Sequence, residues 1–268
     1  MAAHVADDPV ELLALATEAA REGGAVALAG RRSTVLDSAT KSSLTDLVTQ
    51  FDRDVEAMVV ERVLAARPGD AIVGEEGAAV SGESGFEWLI DPIDGTTNYV
   101  YDLPAWCTSV AVTRDGVTLA GAVYVPPSDE LYAASAGGGA SLNGRPIQCG
   151  ERDELALALV ATGFAYQPER RAAQAARLAA MIGSIRDIRR LGSAAIDLCH
   201  VGAGRVDAYF EEHLNAWDAA AGELIAREAG CRSSDFDGGA PAASNLVVAA
   251  PGVHAALLEL LAASVTDR

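Results

Sequence analysis

The sequence predicts a mixed α/β fold in which helices and sheets form alternating layers. The first half has the pattern of two helices followed by short β segments joined by tight turns, as in an antiparallel sheet. The second half alternates single strands with helices, as in a layered α/β unit. We therefore expect one domain over 1–268, made of a helix-and-sheet half over 1–150 and an α/β half over 151–268.

Two helices open the first half. The first is predicted over 9–30, because Asp8 can cap its first turn and Pro9 suits the first helical position. The second is predicted over 46–66 and ends before Pro68.

A sheet follows these helices. A short strand over 71–76 ends in two acids, and the segment 107–132 alternates β runs with turns. Asp115-Gly116 indicates a type I′ hairpin, and Asn143-Gly144 indicates a second hairpin.

The second half predicts four strand–helix pairs. In chain order these are a strand over 155–163, a helix over 169–182, a strand over 187–191, a helix over 192–201, a strand over 206–210, a helix over 215–229, a strand over 246–250 and a helix over 252–263.

Charge and composition exclude several classes of ligand and location. The formal net charge is −18, which disfavours direct binding of nucleic acid or of an anionic membrane. The four cysteines are scattered without paired spacing, so zinc and iron–sulfur sites are not expected. The N-terminal segment has the pattern of an amphipathic helix rather than a signal peptide, and no apolar run has membrane-spanning length. We expect a cytoplasmic protein.

The segment from Trp88 to Val100 carries the clearest functional signal. An apolar strand leads to Asp91 and Asp94, with a proline between them that is predicted to end the ladder. The following Gly95-Thr96-Thr97 offers backbone N–H groups and hydroxyls. Two acids before a donor-rich turn would repel each other without a cation between them, so the pattern predicts a hard metal ion that holds a phosphate.

Two further acidic segments, Gly74-Glu75-Glu76 and Trp217-Asp218, also fall at the ends of predicted elements. Such ends converge on one edge of a layered α/β fold, where ligands bind. Taken alone, Asp218 could instead be an ordinary helix N-cap. Oxygen ligands without histidine or cysteine indicate Mg²⁺, Mn²⁺ or Ca²⁺. The four charges of Glu75, Asp91, Asp94 and Asp218 would be neutralised by two divalent cations.

These motifs resemble the inositol monophosphatase family of Mg²⁺-dependent, lithium-inhibited phosphatases, over nearly the whole chain. The matching segments are Lys41-Ser42-Ser43, Asp46–Thr49 with Asp52, Gly74-Glu75-Glu76, Trp88–Thr97, Leu191–Ala195, Asp207–Glu211 and Trp217–Gly222. The resemblance implies a five-layer αβαβα sandwich, a homodimer, two to three Mg²⁺ ions per site with Mn²⁺ as an alternative, and a small phosphate monoester such as myo-inositol 1-phosphate as the substrate.

The resemblance also implies a role for each matched position. Glu75, Asp91 and the Ile93 carbonyl would bind one metal ion. Asp91, Asp94 and Asp218 would bind a second, and Glu75 would reach a third through water. The catalytic group would comprise Glu75 with Asp52 and Thr96, which would orient the attacking water. The N–H groups of Gly95 and Thr96 would bind the phosphate of the substrate. The metal-site acids Asp94 and Asp218 would also contact the substrate. The residues that would contact the polyol hydroxyls are Gly192, Ser193, Ala194 and Glu211.

Several alternatives stay open. Glu211 read by itself could be a solvent-exposed acid at a strand end. The substrate could be histidinol phosphate, fructose 1,6-bisphosphate or 3′-phosphoadenosine 5′-phosphate. The basic pairs that could serve a second phosphate, Arg170-Arg171 and Arg189-Arg190, have the pattern of surface and interface charges. A binding role in transcription complexes is the alternative outside enzymology. Leu44 departs from the proline common in the family, which puts the third metal in question.

Overall fold

The computed structural model describes residues 8–33, 38–40 and 47–264. Within them the helices are α1 (Pro9–Ser33), α2 (Gln50–Ala66), α3 (Thr96–Val100), α4 (Pro168–Met181), α5 (Ala194–Gly202), α6 (Ala216–Glu228) and α7 (Pro251–Ala263). The strands are β1 (Ser38–Thr40), β2 (Leu47–Thr49), β3 (Ala71–Gly74), β4 (Ala79–Val80), β5 (Phe86–Asp94), β6 (Cys107–Arg114), β7 (Val117–Val125), β8 (Glu130–Ser135), β9 (Gly139–Leu142), β10 (Arg145–Pro146), β11 (Leu159–Thr162), β12 (Asp187–Arg189), β13 (Ala208–Glu212), β14 (Arg232–Asp235) and β15 (Asn245–Ala249).

Two large sheets and three helix pairs form five layers. The first sheet has the strand order β10-β9-β8-β7-β6-β5-β3-β4, and the second has the order β12-β11-β13-β15-β14. Helices α1 and α2 cover the outer face of the first sheet, α5 and α6 lie between the sheets, and α4 and α7 cover the second sheet. The predicted layered α/β class and the five-layer order are confirmed.

Each interface between layers has its own apolar core. Trp88 and Val59 belong to the core under α1 and α2, and Leu224 belongs to the core between the first sheet and α6. Leu198 packs between α5 and the second sheet, and Leu257 packs between that sheet and α7. Burial of both faces of each sheet explains why central strands such as β7 and β15 are mostly apolar.

Most predicted elements are present, and their differences have local causes. The second helix begins at Gln50 rather than at residue 46, because the Thr49 hydroxyl and the Asp52 carboxylate form a capping box there. The strand predicted over 155–163 begins only at Leu159, after a 3₁₀ turn over Leu155–Leu157. Strand β14, which is short and contains two serines, was not predicted.

Both predicted hairpin turns are confirmed. Asp115-Gly116 and Asn143-Gly144 have positive φ at both residues of each pair, as type I′ turns require.

The structure corrects one expectation at the centre of the chain. Pro92 does not end the ladder: β5 continues to Asp94, which pairs with Cys107 after a register shift that follows Asp91. The Pro92 carbonyl accepts a hydrogen bond from the Thr108 hydroxyl at 2.8 Å, so the irregular segment stays attached to the sheet. Such a bulge redirects side chains at a sheet end.

Within the described residues no helix is both long and apolar enough to cross a membrane.

Candidate active site

A cavity of about 430 Å³ lies where the two sheets and the central helices meet. Its wall includes nearly every site residue that the sequence predicts, namely Glu75, Asp91, Ile93, Asp94, Gly95, Thr96, Gly192, Ser193, Ala194, Glu211 and Asp218. Asp52 is the exception: it is fully buried and lies behind Thr96. Lys41, Ser42, Ser43, Leu44 and Asp46 lie outside the described residues.

Four acids, Glu75, Asp91, Asp94 and Asp218, lie in the wall of this cavity. Asp91 is 1% exposed, and within the described ranges its Oδ1 atom has no hydrogen-bond partner. Its pKa is raised well above the ordinary value by burial, and further by the neighbouring charges of Glu75, Asp94 and Asp218. An ionised Asp91 therefore needs a counter-charge at this position.

Asp94 joins the two halves of the chain. Its Oδ2 atom accepts hydrogen bonds from the Ser193 hydroxyl at 2.6 Å and from the Ala195 N–H at 2.8 Å. Burial raises the pKa of Asp94 to about 6, although both of these hydrogen bonds act in the opposite direction. Asp94 at the end of β5 thus contacts the N-terminus of α5, where a negative charge is favourable.

Ser193 is the N-cap of α5. Its hydroxyl accepts from the Ile196 N–H at 3.2 Å and donates to Asp94, and the residue is 2% exposed. The Ser193 hydroxyl therefore already makes two hydrogen bonds inside the protein.

Asp218 is the third residue of α6, and the N-cap is Asn215. The Asn215 N–H donates to Asp218 Oδ2 at 2.7 Å in a capping box. The interpretation of Asp218 as a plain N-cap is therefore wrong. Burial, and then the charge of Asp94, raises the pKa of Asp218 well above its ordinary value.

Thr96 and Asp52 form the expected pair. The Thr96 hydroxyl lies 3.3 Å from Asp52 Oδ1 and 3.0 Å from the Ile93 carbonyl oxygen, with one proton to give to either. Asp52 also accepts from the Thr49 N–H and hydroxyl, so the residue that would orient water also fixes the start of α2.

Gly95 has φ 92°, which favours glycine, and precedes α3. A methyl group there would overlap the Ala105 carbonyl oxygen and crowd the Gly192 carbonyl. Only glycine therefore lets the segments around residues 95, 105 and 192 meet at the cavity.

Sequence reasoning missed several residues of the site. Asn98 donates to the carbonyls of Ala105 at 2.6 Å and Leu191 at 2.8 Å, and so connects α3 to two loops. Asp197 is 1% exposed and lies in the cavity wall. These residues act across long chain separations, for which the sequence carries no local signal.

The arginine pairs also behave differently from the prediction. Arg170 and Arg190 border the cavity, whereas the prediction assigned both pairs to the surface and an interface. Arg171 donates to the Ala165 and Tyr166 carbonyls, and Arg189 pairs with Asp187. One member of each pair therefore carries positive charge to the mouth of the site.

The chemistry of the donors fits a hard divalent cation. All donors are carboxylates or a carbonyl, and no described residue donates a hydrogen bond to the buried Asp91 Oδ1 atom. In the described part of the chain, no three acidic, histidine or cysteine side chains are already arranged to hold a metal ion. The acids share one cavity, and the charges of Glu75 and Asp94 add to burial in raising the pKa values of Asp91 and Asp218, which is the electrostatic condition that a bound cation would relieve.

Comparison with known proteins identifies the relatives of this chain. The model of the inositol monophosphatase family matches residues 8–268. An inositol-1-monophosphatase of Mycobacterium leprae is 46% identical over 232 residues, which cover 82% of this chain and 80% of that protein. A Nus factor SuhB of Pasteurella multocida is 39% identical over 260 residues, which cover 96% of this chain and 97% of that protein.

A solved structure gives the same result for the fold. The crystal structure of the extragenic suppressor protein suhB of Bartonella henselae superimposes with a TM-score of 0.89 at 31% identity, covering 94% of this chain and 98% of that one. The predicted family is thus confirmed: the chain belongs to the inositol monophosphatase family, whose members are phosphoric monoester hydrolases.

Proposed function

We propose that the protein hydrolyses myo-inositol 1-phosphate, or a closely related polyol monophosphate, with Mg²⁺ as cofactor. The observation that carries the proposal is the set of four acids in one cavity, with a buried Asp91 oxygen that has no hydrogen-bond partner among the residues that the structure describes. The family match and the name of the M. leprae relative favour a phosphate monoester as the substrate.

The proposed metal ligands are those that the family resemblance implies. Glu75, Asp91 and the Ile93 carbonyl would hold one ion, and Asp91, Asp94 and Asp218 would hold another. A third ion near Glu75, and Mn²⁺ in place of Mg²⁺, belong to the same proposal. Bound divalent ions lower the pKa of water and neutralise phosphoryl oxygens.

The protein groups have separate tasks in this proposal. Asp52 would hold the Thr96 hydroxyl so that it orients the attacking water, across the 3.3 Å contact between them. The N–H groups of Gly95 and Thr96, at the start of α3, would donate to the phosphate because they precede any intrahelical acceptor. The loop over 192–194 and the carboxylate of Glu211 would contact the polyol.

A phosphate-release assay tests the activity directly. We expect release from myo-inositol 1-phosphate with Mg²⁺, inhibition by Li⁺, and slower release from histidinol phosphate, fructose 1,6-bisphosphate and 3′-phosphoadenosine 5′-phosphate. No release from myo-inositol 1-phosphate at any Mg²⁺ concentration would refute the proposal.

The metal site has its own test. Asp94→Asn keeps the shape of the side chain but removes a charge, and we expect at least a hundredfold loss of kcat/KM. Circular dichroism establishes that the variant is folded. A folded variant with full activity would remove Asp94 from the metal site.

A second candidate function is a role in transcription complexes, which the name of the P. multocida relative favours. The protein would then bind another protein rather than nucleic acid, given its net charge of −18. Co-purification of RNA polymerase or of Nus proteins with the tagged chain from its own host would support this function.

A homodimer and a cytoplasmic location remain predictions. Light scattering after size exclusion gives the mass of the particle, and twice the chain mass of 27.6 kDa is expected.

A further inference from the structure

We propose that Tyr209 is a positioning residue that sets the carboxylate of Glu211 for recognition of substrate hydroxyls, and thereby makes the site prefer polyol phosphates over esters without hydroxyl groups. The inference rests on the proposed function and adds to it the device that selects the alcohol. Gly163 is the second part of the device.

The contact between the two side chains is direct. Tyr209 and Glu211 are two residues apart on β13, so both side chains leave the same face of the sheet. The Tyr209 hydroxyl donates to Glu211 Oε2 at 2.5 Å, and the tyrosine has no exposed surface. The fixed ring therefore holds one oxygen of the carboxylate, and Glu211 itself lies in the wall of the cavity.

Gly163 leaves the space that the Glu211 carboxylate occupies. It follows β11, which pairs in parallel with β13, and Thr162 lies opposite Phe210 in that ladder. A methyl group at position 163 would overlap the Glu211 carboxylate. Gly163 has no positive φ, so its backbone conformation does not require glycine. Glycine is needed because the Glu211 carboxylate occupies the space that a side chain at position 163 would fill.

The charges around Glu211 explain why the hydrogen bond matters. Burial raises the pKa of Glu211 to about 7, whereas the hydrogen bond from Tyr209 and the charge of Arg190 lower it. A carboxylate that is ionised accepts protons from substrate hydroxyls, and a protonated one accepts less well. The ionisable groups that act on Glu211 from the surrounding elements are Tyr209 on β13, Arg190 before α5, Asp197 on α5, Asp94 at the end of β5 and Asp218 on α6.

Tyr209→Phe tests the positioning role, since it removes only the hydroxyl. For myo-inositol 1-phosphate we expect KM to rise about tenfold with kcat within twofold of wild type, as for loss of a hydrogen bond to a charged group. For phenyl phosphate, which has no hydroxyl for Glu211 to bind, kcat/KM should not change. The KM increase should diminish as the pH rises above 8, because Glu211 is then ionised even without the tyrosine.

Tyr132→Phe is a matched control. Tyr132 is also fully buried in a strand, and its hydroxyl also donates to a glutamate two residues away, Glu130, at 3.1 Å. It lies outside the cavity wall, so this variant should leave the KM of both substrates unchanged.

Two further variants separate positioning from a general loss of structure. Glu211→Gln should raise KM for the inositol phosphate, and adding Tyr209→Phe to it should have no further effect on KM. Gly163→Ala should also raise this KM, because the added methyl group would displace the Glu211 carboxylate.

The outcomes are distinguishable. Tyr209→Phe could lower kcat/KM equally for both substrates, or its effect on KM could add fully to that of Glu211→Gln. Either result would overturn the positioning role of Tyr209 and leave the proposed phosphatase activity intact. Hydrolysis of phenyl phosphate without any hydrolysis or binding of the inositol phosphate by the wild type would overturn the proposed substrate and this inference together.

Discussion

Asp91 is buried beside three other acids, and its ionised form is costly unless a cation lies next to it. Because the pKa of Asp91 is raised on folding, its ionisation at neutral pH opposes folding of the metal-free protein. We expect Asp91→Asn to raise the free energy of unfolding in EDTA by about 1–3 kcal/mol, since it removes an uncompensated buried charge. Added Mg²⁺ should stabilise the wild type, by about 2.7 kcal/mol at one hundred times Kd, but not the variant.

Thermal unfolding with EDTA and with Mg²⁺ measures both effects. Asp54→Asn is the control, because this acid is exposed on α2 and should change stability by less than about 0.5 kcal/mol in either condition. Equal stabilisation of wild type and Asp91→Asn by Mg²⁺ would remove Asp91 from the metal site.

At this scale the sequence predicts residues that carry charge in a recognisable motif, and it misses those that act through another residue. Glu75, Asp91 and Asp94 stand in short motifs next to predicted element ends, where their chemistry can be inferred from the sequence. Asn98 contacts a carbonyl 93 positions away, and no local pattern indicates such a partner. Tyr209 was part of a recognised segment, but the hydroxyl contact that gives it a task depends on the fixed ring.

Among the elements, α3 depends most clearly on one glycine. Gly95→Ala would force an alanine into φ 92° and against the Ala105 carbonyl. Gly116→Ala is the matched control, because it has φ 76° in a hairpin turn with nothing within 4 Å of the new methyl group. We expect the control to lose about 1–2 kcal/mol of stability, and Gly95→Ala to lose about 1–3 kcal/mol more together with its phosphatase activity.

Urea unfolding and phosphate release check this difference. Equal stabilities for the two variants would mean that close approach of the backbone at Gly95 has no energetic weight, and the overlap with Ala105 would then be relieved by a small shift.

Element types were predictable where the hydrophobic period was regular, and boundaries were not. The start of α2 is set by the capping box of Thr49 and Asp52, which the apolar pattern does not reveal. Strand β5 continues past Pro92 because the register shift leaves the proline in a position that needs no N–H.

For the whole molecule, the order of predicted helices and strands alone predicts alternating layers. The number of layers followed from the family resemblance. The four separate apolar cores explain why: each is built from segments distant in sequence, and their stacking is not encoded by any local period. The division at residue 150 remains a prediction. The contact of Asp94 with Ser193 shows that the site uses both halves.

The raised pKa values predict how stability of the whole protein depends on pH. Asp94 is raised to about 6 and Glu211 to about 7, and Asp91 and Asp218 are raised as well. Groups with raised pKa values favour the folded state when protonated, so their contribution is present below the unfolded values near 4 and is lost as pH rises to about 7. The metal-free protein should therefore unfold at lower temperature at pH 8 than at pH 5.

Magnesium should flatten this dependence, because it binds the ionised acids and its affinity rises with pH. Calorimetric Tm values from pH 5 to 8, in EDTA and in saturating Mg²⁺, measure both slopes. Repulsion within the net charge of −18 would act in the same direction, but it is screened in 0.5 M NaCl, whereas the buried acids are screened much less. The slope in EDTA should therefore persist in high salt and decrease in Glu211→Gln. A metal-free Tm that stays constant or rises from pH 5 to 8 would show that the acids are already compensated by groups of the protein itself.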